Sequence, residues 1–100
     1  MRADFDSNKT NVEVKLFGAM RDLAGRPDLR LTFPHPVTIK ELLQKLQTQS
    51  PRLMERLNPA IRQGYISVLV NGRRLRSESD FETVLADESI VSFLPPIAGG

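Results

Sequence analysis

Thr38-Ile39-Lys40-Glu41-Leu42-Leu43-Gln44-Lys45-Leu46 is the stretch that decides the fold. Thr38 and Glu41 have the capping-box spacing, in which the threonine hydroxyl accepts from a first-turn amide and the glutamate reaches back. Ile39, Leu42, Leu43 and Leu46 then fall at i, i+3, i+4 and i+7, which puts one apolar stripe on a helix. Ser50-Pro51 ends it. The rest of the chain reads as strands and short helical turns. An α+β domain is therefore expected, with one main helix against a small mixed sheet.

Upstream of that helix, Val12, Val14 and Leu16 alternate with Glu13, Lys15 and Phe17, a half-buried strand from Asn11 to Phe17. Met20, Leu23 and Ala24 recur at helical spacing and end at Gly25 and Pro27, which predicts one or two turns of helix with a glycine stop. Asp28 to Phe33 alternates again, with Leu29, Leu31 and Phe33 inward, until Pro34 and Pro36 end it. His35, the sole histidine, sits between those prolines as a turn residue.

Downstream, Arg52 to Leu57 reads as a short helical turn with Leu53 and Leu57 inward, broken by Asn58-Pro59. Tyr65 to Val70 is a strand with Ile66, Val68 and Val70 inward. Asn71-Gly72 signals a tight hairpin into a partner strand from Arg73 to Arg76. Ser79-Asp80-Phe81-Glu82 resembles a helix start, with Phe81, Val84 and Leu85 as its buried spacing. Asp87-Glu88 is a turn, and Ser89 to Leu94 is the last strand.

One hundred residues with 40% hydrophobic content support one core and leave no room for two. The domain is expected over residues 11–96, between a flexible arm at 1–10 and a flexible tail at 97–100. No apolar run is long enough to span a membrane. The polar start lacks the apolar core of a secretory signal, and a cytoplasmic location fits. Arg73, Arg74 and Arg76 form a basic cluster without interleaved aromatics, so a solvated strand is expected rather than a nucleic-acid site. The chain has no cysteine and one histidine. Disulfides, thiolate metal sites and cysteine nucleophiles are excluded, no metal site is expected, and no autonomous active site is evident.

The chemistry concentrates in Leu94-Pro95-Pro96-Ile97-Ala98-Gly99-Gly100. Pro-Pro cannot continue a sheet ladder and favours extended geometry, so it stops the strand and holds the tail off the body. At roughly 3.3 Å per residue, Pro95 to Gly100 could reach about 20 Å. Gly99 and Gly100, lacking Cβ atoms, can thread a channel too narrow for other residues. A carboxylate on such a tail is suited to delivery into another protein's active site. Near its base, strand phase leaves Phe17, Leu69, Ile90 and Leu94 on the face away from the helix, a docking patch if they cluster.

These features resemble the ubiquitin-like β-grasp sulfur carriers, specifically the MoaD-type small subunit of molybdopterin synthase. The resemblance covers Val12 to Gly100. It rests on Leu16-Phe17-Gly18-Ala19-Met20-Arg21-Asp22-Leu23-Ala24-Gly25, the helix from Thr38, Val70-Asn71-Gly72 and Phe93-Leu94-Pro95-Pro96-Ile97-Ala98-Gly99-Gly100. It implies that a ubiquitin-activating-type enzyme uses ATP to adenylate Gly100, with no cofactor bound to this chain. A sulfurtransferase system would then leave a thiocarboxylate there. The large synthase subunit would receive the tail, Ile97, Ala98 and Gly99 threading ahead of the sulfur, to build the molybdopterin dithiolene from precursor Z. The resemblance also matches Phe17, Leu75 and Leu94 to apolar docking positions and Arg21 to a family arginine.

Three rivals stand beside this reading. A related carrier could serve tRNA thiolation or thiamine synthesis. A ubiquitin-like modifier would use the same adenylate but end in an isopeptide bond. A plain interaction module would not need Gly99 and Gly100.

Overall fold

The computed structural model describes residues 9–95. β1 (Thr10–Leu16) buries Val12, Val14 and Leu16 as the alternation dictates. It begins one residue earlier than expected, at Thr10, which is itself buried. The remainder of the expected arm, residues 1–8, and the tail residues Pro96 to Gly100 lie outside the described residues.

α1 (Gly18–Ala24) follows directly and closes on Gly25, whose φ of 78° is left-handed and whose N–H donates to the Arg21 carbonyl. Such a stop suits glycine, which pays no Cβ penalty there. Of the three spaced apolar residues only Met20 is buried; Leu23 is exposed, because α1 lies at the end of the sheet and meets the body along a narrow line. β2 (Asp28–Phe33) returns antiparallel to β1, pairing Val14 with Leu29 and Val12 with Leu31.

α2 (Ile39–Gln49) is the expected helix. The Glu41 N–H donates to Thr38 Oγ1 at 3.1 Å and the Thr38 N–H to Glu41 Oε1 at 2.8 Å, so both arms of the capping box are made. Ile39, Leu42 and Leu46 are buried, and Leu43 is half-buried at the stripe's edge. Ser50 then joins two helices: its N–H donates to Leu46 at 2.7 Å, and its carbonyl accepts from Met54 at 3.0 Å.

The expectation of one main helix needs correction. α3 (Pro51–Arg62) is as long as α2 and runs through Asn58-Pro59. Pro51 costs little in the first turn, where its missing N–H would have no helical partner. Pro59 forfeits one bond, at about 3 kcal/mol. Leu53, Met54 and Leu57 bury almost completely, at about 1.5–3 kcal/mol each, so burial wins.

β4 (Ser67–Val70) and β5 (Arg73–Arg74) form the expected hairpin, with Asn71 at φ 50° and Gly72 at φ 85°, the paired left-handed turn that matches strand twist. β5 ends two residues before Arg76. The segment read as a third helix is a 3-10 turn over Glu78–Glu82. Val84 is 62% exposed instead of buried, because it belongs to a strand: β6 (Val84–Leu85) pairs with β3 (Val37–Thr38), and Leu85 alone faces the core. β7 (Ser89–Leu94) completes the main sheet.

Strand order is β2-β1-β7-β4-β5, with β7 parallel to β1 and antiparallel to β4. α2 and α3 seal one face. Leu42, Leu46, Leu53 and Leu57 join Val14, Leu16, Val68, Val91 and Phe93 in one core. This is the α+β, β-grasp arrangement the sequence predicts, with a second helix and a two-stranded accessory sheet added.

Candidate functional site

The face of the sheet away from α2 and α3 carries the predicted docking residues. Leu16 pairs with Phe93, and both are buried. Phe17 continues extended at φ −135°, ψ 155°, so its side chain takes the opposite face, level with Leu94. On the other side of β7, Ser67 pairs with Leu94 and Leu69 with Ser92. Leu69 is thus diagonal to Leu94, about 7–8 Å away in such a ladder. Phe17 is 39% exposed, and Leu69 and Leu94 are half-buried. Three strands therefore bring Phe17, Leu94 and Leu69 together at the end of the sheet where the chain leaves β7 at Pro95. Ile90, 36% exposed, lies two positions back along β7, beyond Ser92.

Arg21 sits one helical turn from Phe17, whose carbonyl accepts from both Met20 and Arg21 N–H groups at 3.2 and 3.4 Å. Its guanidinium is exposed and makes no ion pair with a described residue. Leu75 is placed differently. Its N–H donates to the Val68 carbonyl at 2.9 Å, which sets it opposite a buried residue, and it packs half-buried against the core. It does not join Phe17 and Leu94. Arg74, which pairs with Leu69, takes the outer face instead. The tight Asn71-Gly72 turn already implies that pairing, since a two-residue loop fixes the register on both sides. Among the described residues no cluster of three or more His, Asp or Glu side chains could hold a metal, and no helix is long and apolar enough to cross a membrane.

Comparison with known proteins gives the family. The family model described as ThiS family matches residues 14–100. The chain belongs to the ThiS family. This places it among ubiquitin-like β-grasp sulfur carriers and modifiers of the ThiS/MoaD kind. It is 29% identical over 93 residues to small archaeal modifier protein 3 of Haloferax volcanii, covering 89% of this chain and 98% of that one. Small archaeal modifier protein 1 of Methanosarcina acetivorans superimposes with a TM-score of 0.71 at 30% identity, covering 92% and 98% of the two chains. A chain from the complex of subunits 1 and 2 of the Helicobacter pylori molybdopterin-converting factor shares the fold, with a TM-score of 0.61 at 24% identity over 91% and 100% of the chains. The ThiS-family match runs through the tail, so it includes Ile97, Ala98, Gly99 and Gly100, which lie outside the described residues.

Proposed function

We propose that this protein carries sulfur as a thiocarboxylate on Gly100, for the dithiolene of molybdopterin. A carboxylate is a poor acyl donor until its oxygen becomes part of a good leaving group. Attack of the Gly100 carboxylate on the α-phosphorus of ATP, held by a ubiquitin-activating-type enzyme, gives the acyl adenylate and releases pyrophosphate. Sulfur supplied at the hydrosulfide level by a sulfurtransferase system then displaces AMP. The chain contributes the tail and the face that presents it, and the ATP belongs to the activating enzyme. A cytoplasmic setting suits these partners. The observation that carries this reading is the convergence of Phe17, Leu94 and Leu69 beside Pro95, where the tail begins. A partner gripping that patch receives the tail in a fixed direction. The Helicobacter pylori complex of subunits 1 and 2 supports a large synthase subunit as one such partner.

The two archaeal modifier relatives favour a second reading, in which the same adenylate is captured by a lysine of a target protein. Intact mass separates them. After incubation with activating enzyme, ATP and a sulfur source, the carrier reading expects a gain of one oxygen-to-sulfur exchange on the C-terminal peptide. The modifier reading expects heavier species that survive reducing, denaturing conditions. An unchanged mass, with no heavier species, overturns both.

A further inference from the structure

On the opposite side of the sheet from the docking patch lies a cleft of about 1070 Å³, between α2 and α3 on one side and β4, Leu75 and the 3-10 turn on the other. Half-buried Leu43, Ile61, Leu75 and Phe81 line it, with Ile66 and Val68 of the β4 side beneath. These four side chains pack on the core but are not covered by any described element.

The cleft also has open main chain. In an antiparallel ladder, residues of the middle strand alternate in which neighbour they bond. Asn71 bonds Ile90 of β7, so Leu69 and Ser67 face β7 while Val70, Val68 and Ile66 face the β5 side. Leu75 takes the Val68 carbonyl, and Ala60 takes the Ile66 N–H at 3.1 Å. β5 stops too early to use what remains, the Val68 N–H and the Ile66 carbonyl, which bond no described residue. Those two groups flank Ser67 with the spacing that one residue of a parallel strand needs, accepting from Val68 and donating to Ile66.

The charge at the rim names the occupant. Lys40, Arg62 and Arg76 line the cleft against Glu78 and Glu82. None of the three cations is in an ion pair with a described residue. A second copy would bring the same excess of cations and so no complementary charge.

We propose that this cleft binds an extended, acidic segment of a partner protein, with one residue paired to Ser67 as a parallel strand and an aliphatic side chain seated against Leu43, Ile61 and Phe81. Strand addition supplies affinity through main-chain bonds and specificity through the side-chain pocket. The site is separate from the tail's docking face, so one partner can hold this protein here while another engages Phe17 and Leu94.

The test is amide NMR of the full chain titrated with a synthetic peptide of Val and Ile residues flanked by Asp and Glu. Its counterpart with Lys in place of every acid is the control. The acidic peptide is expected to shift the Val68 and Phe81 amides, leave the Phe17 amide unmoved, and protect the Val68 N–H from exchange. Arg62→Glu with Arg76→Glu, both exposed and outside the core, should weaken binding about ten-fold or more. Equal binding of the lysine peptide, shifts confined to the Phe17 face, or no shift at all would each overturn the proposal. So would peptide-free shifts at Val68 on deleting residues 96–100 or on raising protein concentration, because the chain's own tail or a second copy would then be the occupant.

Discussion

Asn71 makes two hydrogen bonds to the same residue, Ile90: its N–H donates to the Ile90 carbonyl at 2.8 Å, and its Oδ1 accepts from the Ile90 N–H at 2.8 Å. At φ 50° the Asn71 backbone has turned into the hairpin, so its own carbonyl no longer faces β7. The side-chain oxygen takes that carbonyl's place and extends the β4–β7 ladder by one rung.

Asn71→Ala should therefore destabilise the domain by about 1–3 kcal/mol. It loses a hydrogen bond and puts a Cβ residue without a compensating side chain at left-handed φ. Asn71→Asp keeps the acceptor and should retain most of the stability. Thermal melts of the two variants decide this; equal losses would mean that Oδ1 contributes nothing.

Phe17→Ser and Leu94→Ser remove apolar surface from an open face, so folding should change by no more than about 1 kcal/mol. Binding to the activating enzyme should fall about ten-fold or more if these residues anchor the contact. Pyrophosphate exchange, with the melting temperature as control, measures both. Leu75→Ser should behave oppositely, with the larger loss in stability, because Leu75 packs on the core side.

Pro59 is a local conflict that tertiary burial overrides. Pro59→Ala restores an N–H to α3 and relieves the ring against the preceding turn. Stability should rise by about 1 kcal/mol after the greater freedom of the unfolded chain is subtracted. Urea denaturation measures it; a lower midpoint would show that the helix already accommodates the ring without cost.

Two aspartates set the acid limb. Asp80 lies below the ordinary aspartate value of 3.8 because it accepts from the Arg76 and Ser77 N–H groups. Asp87 is likewise lowered, chiefly by the Asn11 N–H at 2.7 Å. With folded values below unfolded ones, their contribution is complete above the ordinary value and disappears as pH falls through the folded values. The denaturation midpoint should drop below about pH 4, and Asp80→Asn with Asp87→Asn should flatten that drop.

Sequence legibility followed the length of the pattern. Asp28–Phe33 alternates without interruption and Ser89–Leu94 is bounded by the Asp87-Glu88 turn and Pro95-Pro96, and both strands match residue for residue. The capping box at Thr38 and the turn at Asn71-Gly72 are local chemistry, so they too were readable. β3 and β6 are two residues each, too short to show a period, and exist because Val37 and Leu85 meet across the fold. α3 was obscured by Asn58-Pro59, whose local preference is weaker than the burial of Met54 and Leu57. Phe17 and Leu94 could be assigned to one face by phase alone. Leu75 could not, because its side is decided by the hairpin register and not by any alternation of its own.

Among the described residues β7 is the sole link between β1 and β4, and it is the last of the described strands in chain order. Until it emerges, the two halves of the sheet share no neighbour, and the core lacks Val91 and Phe93. A nascent or prematurely terminated chain therefore cannot assemble the sheet, nor can it display Leu94 beside Phe17. Display of the Phe17–Leu94 face is therefore conditional on β7: the strand that closes the core is the same one that creates the surface.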